Sequence, residues 1–151
     1  MAAKPSTIHA SAVLVGAKAV LIRGPSGAGK SRLAWDLLQA ATQGTLPFAR
    51  LVADDRALVE AHAGRLLVRP APALAGLLEI RGLSIRRLGF EPVVVVGWVV
   101  DLSAEDAGRL PGNEAAKTQI SGIYLPRLAV ASGMGALPLV LASLRTIPAG
   151  N

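Results

Sequence analysis

Cysteine is absent from this 151-residue chain, and histidine occurs only twice, as His9 and His62. The lack of cysteine excludes disulfide scaffolds, thiol catalysis and iron–sulfur clusters, and two histidines are too few for a closed structural zinc site. Aromatic residues make up only 3% of the chain, so its core must be built from Ala, Val, Leu and Ile. The scarcity of aromatic rings also removes the stacking surfaces that single-stranded nucleic acids use.

Long apolar runs are missing as well. The run over residues 93–100 contains Gly97, and the apolar segment over residues 136–144 contains Pro138. Both are far shorter than the roughly 20 residues that a bilayer-spanning helix needs. The first residues lack the apolar stretch of a secretory signal. We therefore expect a cytoplasmic protein without a membrane span.

The charge of the chain is basic, with a formal net charge of +6 from 16 basic and 10 acidic residues. Twelve of the basic residues are arginines, whose planar guanidinium favours phosphate and carboxylate partners. These arginines are scattered, with one tight pair at Arg86 and Arg87. No groove-reading motif accompanies them, so nucleic acid is not an expected partner.

The apolar pattern, with 52% hydrophobic residues, predicts one ordered domain over residues 1–151. Helical spacing is found over residues 31–42 and 136–146, and residues 103–118 are polar enough to predict a mobile loop. Strands are predicted over residues 8–15, 19–22, 51–53, 57–61, 65–69, 77–80, 93–102 and 120–125. Because strands dominate and do not alternate regularly with helices, we expect an α/β fold with a strand-rich sheet.

A phosphate-binding loop follows the second predicted strand and opens the first predicted helix. It matches the pattern G-x-x-x-x-G-K-[ST] in full, with the residues Gly24, Pro25, Ser26, Gly27, Ala28, Gly29, Lys30 and Ser31. Backbone N–H groups at such a helix start cradle phosphates, the lysine neutralises charge on the β and γ oxygens, and the serine hydroxyl binds Mg²⁺. A glycine-rich turn with a surface lysine is the simpler alternative, but the flanking strand and helix favour nucleotide binding.

Two adjacent carboxylates, Asp54 and Asp55, follow the short apolar strand over residues 51–53. In P-loop proteins, carboxylates at a strand end manage the metal ion or the nucleophile. An Asp-Asp pair also occurs in ordinary turns. The phosphate loop 23 residues earlier favours the functional interpretation.

The sequence resembles the catalytic domain of the bacterial HPr kinase/phosphorylase family. The resemblance rests on five stretches that together span most of the chain: residues 8–11, residues 24–31, residues 51–55, residues 78–85 (Leu-Glu-Ile-Arg-Gly-Leu-Ser-Ile), and residues 108–112 with Thr118 and Gln119. It implies a P-loop-containing mixed sheet of the PEP carboxykinase-like type. Since His9 lies almost at the start, it also implies a short form that lacks the family's N-terminal domain.

The activity that the resemblance implies is bifunctional. Such an enzyme uses ATP or pyrophosphate with Mg²⁺ to phosphorylate a seryl hydroxyl of HPr, the phosphocarrier of the sugar phosphotransferase system, and thereby regulates carbon metabolism. It also reverses the reaction with inorganic phosphate. The family further implies a homo-oligomer, in this case a hexamer.

The resemblance assigns the phosphates to residues 24–31, the transferring group to Lys30, and Mg²⁺ to Ser31 with Glu79. It makes Asp55 the base that takes the serine proton, although Asp54 is close enough to contest that role.

The remaining roles that the resemblance implies belong to three basic side chains. His9 would lie beside the aspartate pair and tune its charge, Arg81 would contact phosphate oxygens, and Arg109 would stabilise developing charge. Each has a simpler alternative: His9 as an ordinary strand histidine, Arg81 paired with Glu79, and Arg109 as a solvated loop residue.

Two other functions stay open at the level of sequence. One is a nucleotide-binding sensor module with little turnover, which is read out by a protein partner. The other is a small-molecule kinase. The family's basic stretch for phosphorolysis is also reduced here to Pro126 and Arg127. We therefore expect kinase activity to exceed phosphorolysis.

Overall fold

The computed structural model describes residues 4–108 and 112–149. Within them the chain forms ten strands and two α-helices. The strands are β1 Ser6–Val15, β2 Lys18–Arg23, β3 Ala49–Ala53, β4 Arg56–His62, β5 Arg65–Pro70, β6 Leu77–Ile80, β7 Ser84–Arg87, β8 Val94–Leu102, β9 Lys117–Ile120 and β10 Ile123–Val130. The helices are α1 Lys30–Thr42 and α2 Ala136–Arg145, and short 3₁₀ turns cover Pro72–Leu74 and Asn113–Ala116.

Five of the strands close into a ring. Strand β1 pairs antiparallel with β2 and β4, β4 pairs antiparallel with β5, and β5 pairs antiparallel with β8. The ring closes because β8 also pairs, in parallel, with β2. Strand β10 extends the sheet from β8, and β9 pairs with β10.

Two apolar clusters lie on opposite sides of this sheet. The first draws small side chains from all five ring strands, among them Ala12, Leu21, Ala57, Val68 and Val96, and so fills the ring. The small residues explain how a core can form with so few aromatic rings, since the interior of a five-stranded ring is narrow. The second cluster packs the outer face against α1 and α2.

Helix α1 follows directly from its apolar spacing. Leu33, Ala34 and Leu37 recur at intervals of three or four residues and are buried against the sheet. No helix within the described part of the chain has the length and apolar character needed to cross a membrane.

Four strands end at the same edge of the sheet. Strands β2 and β3 are both antiparallel to β1, while β8 is parallel to β2 and β10 is parallel to β8. Loops at the carboxyl ends of neighbouring parallel strands form the usual ligand crevice of α/β sheets. The phosphate loop follows β2, and Asp54 follows β3, at this edge.

The strand-rich mixed architecture is confirmed, and two local predictions need correction. The single strand predicted over residues 120–125 is wrong, because Ser121 and Gly122 take left-handed backbone angles of 51° and 81° and form a hairpin turn between β9 and β10. The predicted mobile loop over residues 103–118 contains a 3₁₀ turn and the start of β9. Strand β7, which is exposed and pairs with β6, was not predicted.

Candidate functional site

The phosphate loop connects β2 to α1 and depends on its glycines. A Cβ atom on Gly24 would lie 3.1 Å from the Cβ of Leu102 and 3.2 Å from its carbonyl oxygen, so a side chain here would be tight against β8. Gly29, with φ 101°, is the residue before the first turn of α1. The N–H groups of that first turn have no partner within the helix and are free for an anion.

Lys30 lies across this loop. Its Nζ donates hydrogen bonds to the carbonyl oxygens of Gly24 at 2.9 Å and Pro25 at 3.3 Å. The loop turns back on itself through a bond from the N–H of Ala28 to the carbonyl of Pro25, 3.0 Å. The ammonium group is therefore held at the place where a phosphate would need a positive charge.

Asp54 makes more hydrogen bonds than any other side chain described at this site. It is 6% exposed. Its two carboxylate oxygens lie 2.7 and 2.9 Å from the hydroxyl of Ser31, and its Oδ1 accepts a hydrogen bond from the hydroxyl of Ser11 at 2.6 Å. The backbone N–H of Glu79 donates to its Oδ2 at 3.1 Å. Asp54 thus links the phosphate loop, β1 and β6.

Asp55 differs from its neighbour in almost every respect. It is exposed, and its backbone has a left-handed φ of 68°. Its N–H donates to the Oγ of Ser11 at 3.3 Å, and its carbonyl accepts from the N–H of Ala10 at 3.1 Å. The backbone is fixed on both sides while the residue stays open to solvent. The two carboxylates are therefore suited to different tasks.

Ser11 is a functional residue for which the sequence analysis named no role. It is fully buried, and its hydroxyl donates to Asp54 and accepts from the backbone of Asp55. Ser11 is the one hydroxyl in the buried half of β1, over residues 10–15, and this is the signal that was available in the sequence. A buried hydroxyl requires a polar partner, which here comes from a neighbouring element.

The β6–β7 hairpin carries two further predicted residues. The backbone of Glu79 is bonded to Asp54, and its side chain is exposed. Arg81 is exposed in the turn that follows the end of β6 at Ile80. Within the described residues neither side chain belongs to an ion pair, so the structure does not support their simple mutual pairing.

For His9 and Arg109, the other two predicted basic residues, the structure, which describes only the first of them, gives no side-chain contact with the site. His9 is an exposed residue of β1 opposite Arg56, one residue from the Ala10 that binds the backbone of Asp55. No hydrogen bond joins its imidazole to either aspartate among the residues that the structure describes. Arg109 lies outside the described residues.

Comparison with known proteins now decides the family. The family model for the HPr Serine kinase C-terminal domain matches residues 1–88, which is more than half of the chain. The chain belongs to this family.

Relatives support the same assignment. An HPr kinase/phosphorylase of Geobacillus thermodenitrificans is 35% identical over 140 residues, which cover 85% of this chain and 43% of that protein. One from Mycoplasma mycoides is 28% identical over 140 residues, covering 84% of this chain and 42% of that protein. The chain thus spans less than half the length of these curated relatives.

A solved structure confirms the fold. The HPr(Ser) kinase/phosphatase from Coxiella burnetii superposes with a TM-score of 0.73, covering 93% of this chain and 88% of that one, at 21% sequence identity. The strand-rich mixed α/β fold expected from the sequence is therefore shared with this solved structure.

The oxygen atoms around Asp54 are of the kind that could hold a magnesium ion. The hydroxyl of Ser31 lies against the buried carboxylate of Asp54, and Glu79 is tied to the same carboxylate. Mg²⁺ prefers such hard oxygen ligands and usually takes one or two from the protein, with phosphates and water filling the rest. In the part of the chain that the structure describes, no three His, Asp or Glu side chains cluster to hold an ion on their own.

A second polar group lies at the same sheet edge, on the face that continues the ring interior. Asp101 at the end of β8 accepts two hydrogen bonds from Arg23, at 2.7 and 2.8 Å, and one from Arg127, at 2.5 Å. Arg127, with a side chain 12% exposed, also binds Asp106 at 2.7 Å and the carbonyl of Ala115 at 3.0 Å.

These contacts lower the pKa values of Asp101 and Asp106 and raise that of Arg127. Burial raises the pKa of Asp101, but hydrogen bonds from Arg23 and Arg127 outweigh burial, so the pKa lies below its ordinary value of 3.8. Hydrogen bonding to Arg127 likewise lowers the pKa of Asp106, and the bond to Asp106 raises the pKa of Arg127. The sequence analysis did not predict this network, because its members are far apart in the chain.

Proposed function

We propose that this domain is an ATP-dependent kinase that phosphorylates a serine hydroxyl of HPr or of a closely similar phosphocarrier protein. The observation that carries the proposal is the arrangement around Asp54. This buried carboxylate holds the serine of the phosphate loop, while Asp55 beside it is exposed. Family membership supplies the protein substrate class.

The donor half of the site consists of the phosphate loop and Lys30. Backbone N–H groups at the start of α1 would bind the phosphate oxygens. The Nζ of Lys30 is bonded to the carbonyl oxygens of Gly24 and Pro25, and in the proposed reaction it exchanges these partners for the transferring phosphoryl group. Its charge offsets negative charge that builds up on that group in the transition state.

Ser31 and Glu79 would hold Mg²⁺, which when bound neutralises charge on the β and γ oxygens. Asp54 serves this pair through its own contacts. It accepts a hydrogen bond from the hydroxyl of Ser31, so that the lone pairs of the serine oxygen stay available for the ion, and it accepts another from the backbone N–H of Glu79.

The acceptor half of the site centres on Asp55. In the proposed reaction its carboxylate takes the proton from the substrate serine Oγ while a new Oγ–P bond forms. The bond from the γ-phosphorus of ATP to the oxygen that bridges it to the β-phosphate breaks, and the electron pair of this bond leaves with ADP. Arg81, exposed in the turn after β6, would bind phosphate oxygens, and His9 lies one residue from the anchor of Asp55. Arg109 keeps the role that the family resemblance implies.

The experiment mixes the protein with radiolabelled ATP, Mg²⁺ and the HPr proteins of its own host, and measures label on HPr. We expect transfer by the wild type and none by Lys30→Ala, because the charge on the transferring group is then uncompensated. Lys4→Ala removes an exposed lysine outside the site and should leave transfer unchanged.

Two results would contradict the proposal. Near-normal turnover by Lys30→Ala would show that the phosphate loop is not catalytic. Tight nucleotide binding by the wild type without transfer to any HPr would instead favour the sensor module.

A further inference from the structure

A cleft opens next to the phosphate loop on the side away from the aspartates. It has a volume of ≈ 370 Å³. Its walls come from the phosphate loop (Ala28 and Gly29), from the first two turns of α1, from the end of β8, and from residues 130–138 after β10. Apart from Ala28 and Gly29, none of the residues that line it has a role in the proposed chemistry.

We infer that this cleft binds the nucleoside of the phosphate donor. The inference rests on the proposed kinase function and deepens it, because it distinguishes a nucleotide donor from a donor that consists of phosphates alone. Ala28 and Gly29 belong to both the cleft and the phosphate loop. A nucleotide whose phosphates occupy the loop therefore has its nucleoside end within reach of the cleft.

The lining of the cleft suits a flat ring with polar edges. Leu33, Leu102 and Val130 line it and are 2%, 5% and 1% exposed, so they provide a rigid apolar floor. Arg32 and Asp36 stand on the α1 side and offer donors and an acceptor. Ligand sites typically combine an apolar lining with a few polar groups, and this volume is at the lower end of their usual range.

One rim of the cleft carries an exposed apolar side chain. Met134 is 57% exposed and lies in the loop between β10 and α2. Methionine adapts its shape to a flat partner, and its sulfur makes favourable contacts with aromatic rings. A bound base would cover this side chain.

The position of the cleft also leaves the acceptor side free. It lies at the carboxyl ends of β8 and β10, whereas Ser11, Asp54, Asp55 and Glu79 come from β1, the end of β3 and β6. The donor's nucleoside and the acceptor serine would thus approach the phosphate loop from different sides, as an in-line transfer needs.

Gly135 allows a direct test. It lines the cleft with an ordinary φ of −63°, and a Cβ atom there would meet nothing closer than the Cδ of Pro138 at 3.9 Å. Gly135→Leu therefore adds a side chain at the cleft without backbone strain. Met134→Ala is a second variant that removes exposed apolar surface and does not touch the core. Ala142→Leu adds the same side chain to an exposed position of α2 and is the matched control.

Binding of ADP and of pyrophosphate to each variant is measured by calorimetry in the presence of Mg²⁺. We expect Gly135→Leu to weaken ADP binding by about tenfold or more and to change pyrophosphate binding by less than about twofold. Met134→Ala should weaken ADP binding alone, to a smaller extent. Ala142→Leu should change neither.

The outcomes separate this inference from the proposed function. If ADP and pyrophosphate bind the wild type, but neither Gly135→Leu nor Met134→Ala selectively weakens ADP, the nucleoside lies elsewhere and the inference is overturned while the kinase proposal stands. If neither ligand binds the wild type, both are overturned. Should Gly135→Leu fail to fold, Met134→Ala decides the matter.

Discussion

At the scale of single residues, burial separates two side chains that are identical in the sequence. Asp54 has its oxygens occupied by Ser31, Ser11 and the backbone of Glu79. These hydrogen bonds leave the oxygens of Asp54 little room for a substrate hydroxyl. In the proposed reaction Asp55, which is exposed and anchored through its backbone, therefore serves as the base.

Asp55→Asn should lower the rate of HPr phosphorylation by roughly 10²–10⁴, the usual loss of general-base catalysis, and leave nucleotide affinity nearly unchanged. Asparagine also tolerates the left-handed backbone of this position, so the fold should be kept. Turnover and ADP affinity are measured on the same preparation. Glu91→Gln, a surface carboxylate paired with Arg50 at 3.8 Å, serves as control.

Asp54→Asn should behave differently, because an amide nitrogen in place of either oxygen faces one of the present donors. We expect lower stability, by about 1–3 kcal/mol, together with weaker Mg²⁺-dependent nucleotide binding. If Asp54→Asn lowers only the rate while Asp55→Asn stays active, Asp54 is the base and the two roles are exchanged. If neither substitution changes the rate, the stability or nucleotide binding, both aspartates are ordinary turn residues.

The residues show how far the sequence alone could go. The phosphate loop is contiguous and chemically distinctive, so the sequence alone predicts its eight residues. Ser11 gave a weaker signal, one hydroxyl in the apolar half of β1 over residues 10–15. Asp101 and Arg127 gave none, because a charged residue at a strand end has no visible partner until the strands are paired.

At the scale of elements, chain reversals were harder to predict than the elements themselves. Both helices have the bounds expected from apolar spacing to within a residue. The β9–β10 hairpin was missed because the turn at Ser121 and Gly122 interrupts an apolar pattern over only two residues. Strand β7 was missed because all four of its residues are exposed, which leaves no alternation to detect.

The arginine–aspartate network ties the ends of β2, β8 and β10 together. Because the pKa of Asp101 is lower in the folded chain than its ordinary 3.8, its ionised form stabilises the fold above that pH. This contribution is lost as the pH falls through the lower, folded value. The free energy of unfolding should therefore drop in this acid range.

Urea unfolding of the wild type and of Asp101→Asn from pH 7 down to pH 3 tests this contribution. The variant should be less stable at pH 7, since two arginines lose their shared partner, and the difference should narrow as the pH falls below 3.8. Asp36→Asn breaks a single exposed pair with Arg32 and should cost little at any pH. A gap between Asp101→Asn and wild type that stays constant with pH would contradict the assignment.

At the scale of the whole molecule, ring closure is the feature that no local pattern contains. Strands β2 and β8 are far apart in sequence and meet in parallel, with a shift in register between Ala19 and Val20. At this place a Cβ atom on Gly97 would lie 2.8 Å from the Cβ of Lys18. The sequence shows a glycine within a strand, but its reason is the close approach of a partner strand.

The whole arrangement also bears on the direction of catalysis. Phosphorolysis needs a free phosphate ion aligned behind phosphoserine, and so depends more on cationic side chains than transfer from ATP, where the nucleotide does part of the orienting. By the family resemblance, Arg127 is the basic residue of the segment that would serve phosphorolysis. Its side chain is 12% exposed, and its guanidinium is bound to the carboxylates of Asp101 and Asp106. These two carboxylates compensate its charge.

We therefore expect ATP-dependent phosphorylation to exceed phosphate-dependent dephosphorylation when both are measured at saturating substrate. The two directions are assayed on the same HPr, with phosphoserine quantified by mass spectrometry and Lys30→Ala as the blank for both. The cleft that we infer for the nucleoside also favours the ATP-dependent direction. ATP can contact residues 130–138 through its nucleoside, whereas free phosphate has no such group. A phosphorolysis rate equal to or above the kinase rate would contradict this expectation, and would show that the compensated charge of Arg127 does not limit the reverse reaction.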